Sequence, residues 1–322
     1  MELALHYMDL RAISCGITTV LSAARISTER TGILGSWTGD GLALAKLYES
    51  FLDRTKARHL IHIRWDTSFE PVEDALAVIA GLRSIGNLVY NENIPGQRQY
   101  RDLEGIVQRQ ANRLGISLEQ ARAKIDERIA RARNVNNRAR VNAALAGRIP
   151  LGSHDDETIE HVIEAHQAGA TLAEMPVTIH AARKAKELGM MVCMGAPNYY
   201  RGGSHCGNLS CVEALGEGLV DILCSDYHFP SLLASIVRMM EEGKNPSEAI
   251  KLVSLNPARY LGLDRETGSI EVGKRADLAG IEPRRGFGAV SHVWVNGRLK
   301  FHADEAPAGI ASRDRQPEYA EA

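Results

Sequence analysis

Cysteine is scarce and unpaired in this sequence. The five are Cys15, Cys193, Cys206, Cys211 and Cys224, an odd number with no Cys-x-x-Cys among them. That count argues against a disulfide framework and points to reduced thiols in the cytosol, hence to a cytoplasmic protein. Cys193 and Cys224 fall in apolar, strand-like runs and are read as core. Long apolar runs are missing too: no stretch is long enough to span a bilayer, and Met1 is not followed by a signal-peptide pattern. An excess of one charge is also lacking. The net charge of −2 argues against a generalised nucleic-acid or membrane partner. What is present is a well-mixed chain of 322 residues, 44% hydrophobic and 24% charged, ample for one large α/β domain or two ordinary ones.

The patterning alternates strand and helix. Met1 to Ser14 reads as a helix stopped by Gly16, and Gly16 to Leu21 as a β-branched strand. A helix over about 42–52 follows, then the strand His59–Asp66, a helix over about 72–84 and the strand Gly86–Tyr90. Residues 101–147 are Arg- and Ala-rich and helical by period, with Leu114, Ile125 and Ile129 among few apolar points. They read as a helical insertion whose basic residues form a solvated face, with a lid or dimer contact as the alternative. From Leu151 the period is regular, with strand-like runs at 171–175, 190–194 and 220–224 and helices between. This alternation predicts a parallel sheet. At this length a TIM-type barrel fits best, with an open doubly wound sheet as the alternative. Residues 1–262 would form the barrel, 263–302 a small β unit with strands at 268–278 and 290–298, and 303–322 a disordered tail.

Polar residues stand at the predicted strand ends, where parallel α/β proteins place their sites. His154, Asp155 and Asp156 follow the run Arg148–Pro150 and precede a helical pattern that ends at Gly169. His62, Arg64 and Asp66 share one face of their strand, which either lines a site or faces water on a single-sided edge. After the Met190 strand, Gly202 and Gly203 allow close backbone approach to a ligand. Arg201 adds a forked cation suited to phosphate, and a helix N-terminus lies just beyond; an ordinary loop is the plainer reading. Asp226 ends a buried apolar strand and needs a cation, a metal or a donor. It also reads as a helix N-cap, because Pro230 fits the first helical turn.

These residues carry a resemblance. Gly268-x-Ile270-x-x-Gly273-x-x-Ala276-Asp277-Leu278, then the late Val293-x-Val295-x-Gly297, resembles the C-terminal β segment of the amidohydrolase superfamily. Ser153–Asp156, Ala173–Pro176, Met194–Asn198, Arg201–His205 and Ser225–Tyr227, with Gly16–Val20 and Pro95–Gln99, resemble one branch of it. That branch is the alpha-D-ribose 1-methylphosphonate 5-triphosphate diphosphatase (PhnM) family, and the resemblance runs from about residue 10 to 301. It implies a distorted TIM-type (β/α) barrel and a metal-dependent hydrolase that releases pyrophosphate in phosphonate utilisation by the carbon–phosphorus lyase pathway. It also implies one or two zinc ions, and the charge of the triphosphate by itself suits magnesium. On the resemblance His154, Asp226 and Asp66 are metal positions, and Asp226 also takes the proton from the attacking water. Arg201, Gly202, Gly203, His205, Asn198 and Arg64 would contact a small phosphorylated substrate.

The sequence also departs from the family. The family's opening strand with its His-x-Asp metal pair has no counterpart here. The fourth-strand glutamate is matched by the shorter Asp66, and the Asp-His before Pro-Gly-Gln by Glu92-Asn93. An amide is a much poorer zinc ligand than imidazole. His62 and Glu92 are the substitute ligands within reach by sequence. If the protein starts at Met1, a barrel without its first strand should expose edges, which predicts low stability or a homo-oligomer that covers the gap. Two other functions stay open: a divergent amidohydrolase with another substrate, and a non-catalytic relative that binds a phosphorylated ligand or a protein.

Overall fold

The computed structural model describes residues 2–27, 41–92, 94–145, 147–204, 207–284 and 286–303. Seven parallel strands make one curled sheet in chain order: β1 (Thr19–Ile26), β2 (Arg58–Asp66), β3 (Ile85–Asn91), β4 (Leu151–His154), β5 (Leu172–Glu174), β6 (Met191–Gly195) and β7 (Ile222–Cys224). Every neighbouring pair is consecutive. A doubly wound sheet would reverse its strand order at a switch point, so the winding is that of a barrel. Among the described residues β1 and β7 share no ladder, which leaves a half-barrel.

Helices cover the outside. They include α1 (Glu2–Ser14), α2 (Gly41–Phe51), α3 (Val72–Ala80), α4 (Leu103–Leu114), α5 (Leu118–Asn134), α6 (Arg138–Leu145), α7 (Ile159–Gln167) and α8 (Ile179–Glu187). Then come α9 (Ala196–Arg201), α10 (Cys211–Gly216), α11 (Pro230–Glu241), α12 (Pro246–Lys251) and α13 (Leu255–Tyr260). Their starts follow from local chemistry. Thr158 and Thr178 cap α7 and α8, and Ser117 with Gln120 forms a capping box on α5. The insertion is thus helical, and α4 and α5 bury a small cluster of their own around Val107, Ala111, Ala121 and Ile125. No helix among the described residues is long and apolar enough to cross a membrane.

Alternation along β2 sorts its side chains. Ile61, Ile63 and Trp65 enter the helix-side core with Val72, Ile79 and Leu88. The opposite face is not a solvated edge, because His62 and Asp66 are buried there. A second core joins β5–β7 to α7–α11 through Val162, Met190, Val192, Tyr199, Ile236 and Met239.

Three sequence expectations shift. The first strand starts at Thr19 rather than Gly16, because Gly16 (φ +78°) and the Ile17 N–H close the end of α1 onto the carbonyls of Ile13 and Ala12. Residues 196–201 were expected in a loop and form α9. Pro197 sits in its first turn, and Gly202 (φ +84°) ends it with the Gly203 N–H on the Asn198 carbonyl. Residues 268–277 are turns, held locally by Ser269, Glu271 and Lys274. The small antiparallel sheet, ordered β10-β9-β8, comprises β8 (Leu278–Arg284), β9 (Phe287–Val295) and β10 (Arg298–His302). It packs Val293 and Val295 on Ala12, Ile13 and Val20. The tail beyond Ala303 lies outside the described residues.

Asp9 fastens α1 to the start of β2. Fully buried, its carboxylate accepts from the Lys56 and Ala57 N–H groups at 2.8 and 3.0 Å and lies 3.0 Å from His59 Nε2. Burial pushes its pKa up, but the His59 bond and the two backbone donors outweigh this and leave it below the usual value. A folded-state pKa below the unfolded one gives stability that is present above about pH 4 and lost as pH falls through the folded value. Urea unfolding of wild type and Asp9→Asn should therefore differ by roughly 1–3 kcal/mol near pH 7. The difference should shrink below about pH 4. A gap that stays constant with pH would contradict this role for the charge.

Candidate active site

The C-terminal ends of β2, β4 and β5 bring four polar side chains together. Arg64 Nη2 donates to His154 Nε2 at 2.9 Å. A guanidinium can only donate, so this contact fixes His154 as a neutral imidazole with its proton on Nδ1. That nitrogen faces Asp155 Oδ2 at 2.8 Å, without hydrogen-bond geometry. Glu174 Oε2 lies 3.5 Å from His154 Nε2 and 3.8 Å from His62 Nε2. Burial pushes the Glu174 pKa up, but its positive surroundings, Arg64 among them, more than offset it and hold the carboxyl below its usual value. Burial also lowers the His62 pKa, which leaves this imidazole neutral, with Nε2 lacking a hydrogen-bond partner.

A second buried layer supports this one. Arg98 donates through Nη1 to Asp156 Oδ1 (2.6 Å) and to the His154 carbonyl (3.2 Å), and through Nη2 to Glu92 Oε2 (2.9 Å). Arg138 Nη2 donates to the other Glu92 oxygen, and Ser153 Oγ donates to Asp156. Glu92 is thereby committed to two guanidiniums. Backbone strain collects in the same place. Arg98, Asp155, Met175 and Asp226 have φ of +55°, +59°, +54° and +49°, each directly after a strand or in the loop that leaves one. The fifth such residue among those described, Asn296, precedes Gly297 in the β9–β10 hairpin turn. Left-handed non-glycine residues grouped at strand ends are characteristic of functional sites.

The predicted site residues divide. His154 and Arg64 meet in the cluster. Asp66 lies on the same face of β2, but its Oδ1 accepts from the Ser68 N–H (2.9 Å) and Ser68 Oγ (2.7 Å), which closes the turn after the strand. Asp226 is exposed on the turn after β7. It is not the N-cap of α11, where Phe229 holds that position. Asn198 accepts from the Cys211 N–H (3.0 Å) and donates to the Leu209 carbonyl (3.1 Å), so its amide clips the segment ahead of α10. Arg201 is exposed and donates to the Tyr227 hydroxyl at 2.8 Å. Gly202 and Gly203 have nothing within 4 Å of an added Cβ, so a ligand can reach their backbone. Asn93 and His205 lie outside the described residues.

Glu174, and the pairing of Arg98 with Asp156, were not singled out by sequence reasoning. The signal for Glu174 was present: a carboxylate that ends an apolar strand, the same argument that singled out Asp226.

As arranged, the donors do not fit a resident metal ion. The His154 lone pair points at a guanidinium, Asp66 is turned into its own loop, and Glu92 is held by two arginines. No group of three or more His, Cys, Asp or Glu among the described residues could hold an ion.

Parallel strands wound in chain order, polar side chains gathered at their C-terminal ends and a small antiparallel sheet alongside define an amidohydrolase-type (β/α) hydrolase. The model of the amidohydrolase family matches residues 207–300. The fold is shared with a Xaa-Pro dipeptidase (TM-score 0.55, 13% identity, 92% of this chain and 78% of that one). It is shared as well with a β-aspartyl dipeptidase from Fervidobacterium islandicum AW-1 (TM-score 0.54, 15% identity, 92% and 77%). The alpha-D-ribose 1-methylphosphonate 5-triphosphate diphosphatase of Escherichia coli strain K12 is 34% identical over 310 residues, 92% of this chain and 80% of that protein. The chain belongs to that diphosphatase's family of hydrolases, within the amidohydrolase superfamily.

Proposed function

We propose that the protein hydrolyses alpha-D-ribose 1-methylphosphonate 5-triphosphate, or a close phosphorylated sugar, with release of pyrophosphate in phosphonate utilisation. The observation that carries this reading is the 34% identity sustained over 92% of the chain. Its partner on this reading is a small phosphorylated substrate, not nucleic acid or a membrane. Zinc is what the family resemblance implies, and the charge of the triphosphate by itself suits magnesium. Because the donors do not fit an ion, the roles assigned here are those of the chain's own groups. Arg201, exposed beside Tyr227, receives a phosphate oxygen, and the open backbone at Gly202 and Gly203 lets the triphosphate approach closely. Asp226, exposed on the turn after β7, takes the proton of the attacking water. His154, held by Arg64, orients the reacting end.

Arg201→Ala removes one charged donor. It should raise KM about 10–100-fold with kcat little changed, because the contact is made before the reacting bond breaks. An unchanged KM would remove Arg201 from the phosphate site.

Pyrophosphate release should be followed with this substrate beside a panel of nucleotides, ribose phosphates and cyclic amides. Release confined to the ribose triphosphate supports the proposal; turnover of a cyclic amide instead points to a divergent amidohydrolase. The Arg64–His154 bond favours one further reading, a binder of phosphorylated ligands without turnover. A thermal shift with the ribose triphosphate and no pyrophosphate is the result that reading predicts.

A further inference from the structure

We propose that the guanidinium of Arg64 is the resident cation of this centre, seated against His154 and Glu174 where a divalent metal would have to enter. The proposal rests on the geometry of the cluster and does not depend on which substrate is turned over.

Three observations carry it. First, Arg64 Nη2 occupies the lone pair of His154 Nε2 at 2.9 Å, and one lone pair cannot serve a guanidinium and a metal together. Second, two of the donor spacings, both to Glu174, are close to those between ligands of one ion, although with Arg64 in place the three donors do not enclose one. Glu174 Oε2 lies 3.5 Å from His154 Nε2 and 3.8 Å from His62 Nε2. Two ligands of a tetrahedral ion with bonds of about 2.1 Å lie about 3.4 Å apart. His62 Nε2 is nine-tenths buried, turned toward Glu174 and without a hydrogen-bond partner, as a ligand nitrogen without its ion would be. Third, Arg64 already supplies positive charge to this centre. Arg64 Nη2 and Glu174 Oε2 both lie at His154 Nε2, with His62 beside Glu174. A dication added to this set would bring two positive charges beside Arg64, with Asp155, 2.8 Å from His154 Nδ1, a single further negative charge against them, a steep cost at low dielectric.

The consequence is an exchange between cations. Shortening Arg64 should release His154 Nε2 and leave Glu174 short of a counter-charge, so that His62, His154 and Glu174 become a three-donor site for zinc or cobalt(II).

The test is cobalt(II) titration of the purified full chain, followed by visible absorption and by equilibrium dialysis. Wild type should take up no stoichiometric cobalt. Arg64→Ala should bind one cobalt with the strong visible bands of a low-coordinate ion, and at least about tenfold tighter than wild type. Arg64→Ala combined with Glu174→Ala should lose that binding. Arg64→Gln is the second variant, in case the alanine protein does not fold, and carries the same expectation. Stoichiometric cobalt in wild type that disappears in His154→Ala would overturn the proposal, because the metal would then take the seat from Arg64. Folded Arg64 variants that gain no cobalt would overturn it too.

Discussion

Arg98→Ala is expected to lower the unfolding free energy by about 3–5 kcal/mol, the cost of leaving buried charges without their partner. Arg98 is itself buried, and its fork joins Asp156, Glu92 and the carbonyl of His154. Burial pushes the Glu92 pKa up, and Arg98 with Arg138 pulls it below the ordinary carboxylate value. Remove Arg98, and Asp156 keeps only the Ser153 hydroxyl while Glu92 keeps only Arg138. A carboxylate stripped of its cation at this depth either stays charged at high cost or takes up a proton. Arg98→Lys should recover only part of the loss, because an ammonium cannot span Asp156 and Glu92 as a fork does. Urea unfolding gives the answer. An unfolding free energy within about 0.5 kcal/mol of wild type would place this network among inert ion pairs of the surface kind.

Trp65→Ala has a comparable expected cost, about 3–5 kcal/mol, for a different reason. The indole is fully buried in the core under α3 and meets Phe69 edge to face at 5.6 Å between centroids. Its Nε1–H donates to Asn137 Oδ1 at 2.8 Å, and Asn137 in turn donates to the Phe69 carbonyl. The truncation therefore opens a cavity and leaves a buried amide oxygen without its donor, two penalties that add. Trp65→Phe should cost less, because the ring volume largely remains and only the N–H is lost. If alanine and phenylalanine were equally destabilising in chemical unfolding, the hydrogen bond rather than the packing would dominate.

The winding of the fold was legible because it rests on short-range signals. Regular strand and helix spacing from Leu151 onward fixes a parallel sheet, and β2 alternates cleanly enough to show which of its residues face inward. Less legible were features set by glycine and proline in combination. Pro197 and Gly202 turn an apparent loop into α9, and Gly268 and Gly273 turn an apparent strand into turns. The site was half legible. His154 and Arg64 declared themselves by standing at strand ends. What Asp66 and Asn198 do there was hidden, since a carboxylate bonding two residues ahead and an amide spanning two backbone groups are settled by loop geometry that periodicity does not report. The Arg98–Asp156 pair joins residues 58 positions apart, and nothing local in either segment announces the other.

Arg64, His154 and Glu174 form the proposed centre, and its most direct test is pyrophosphate release from alpha-D-ribose 1-methylphosphonate 5-triphosphate by wild type and His154→Ala at equal folded concentration. The account predicts release by wild type and a loss of at least about a hundredfold in kcat/KM in the variant. Equal release by the two proteins would contradict it, and would move the chemistry away from the ends of β2, β4 and β5.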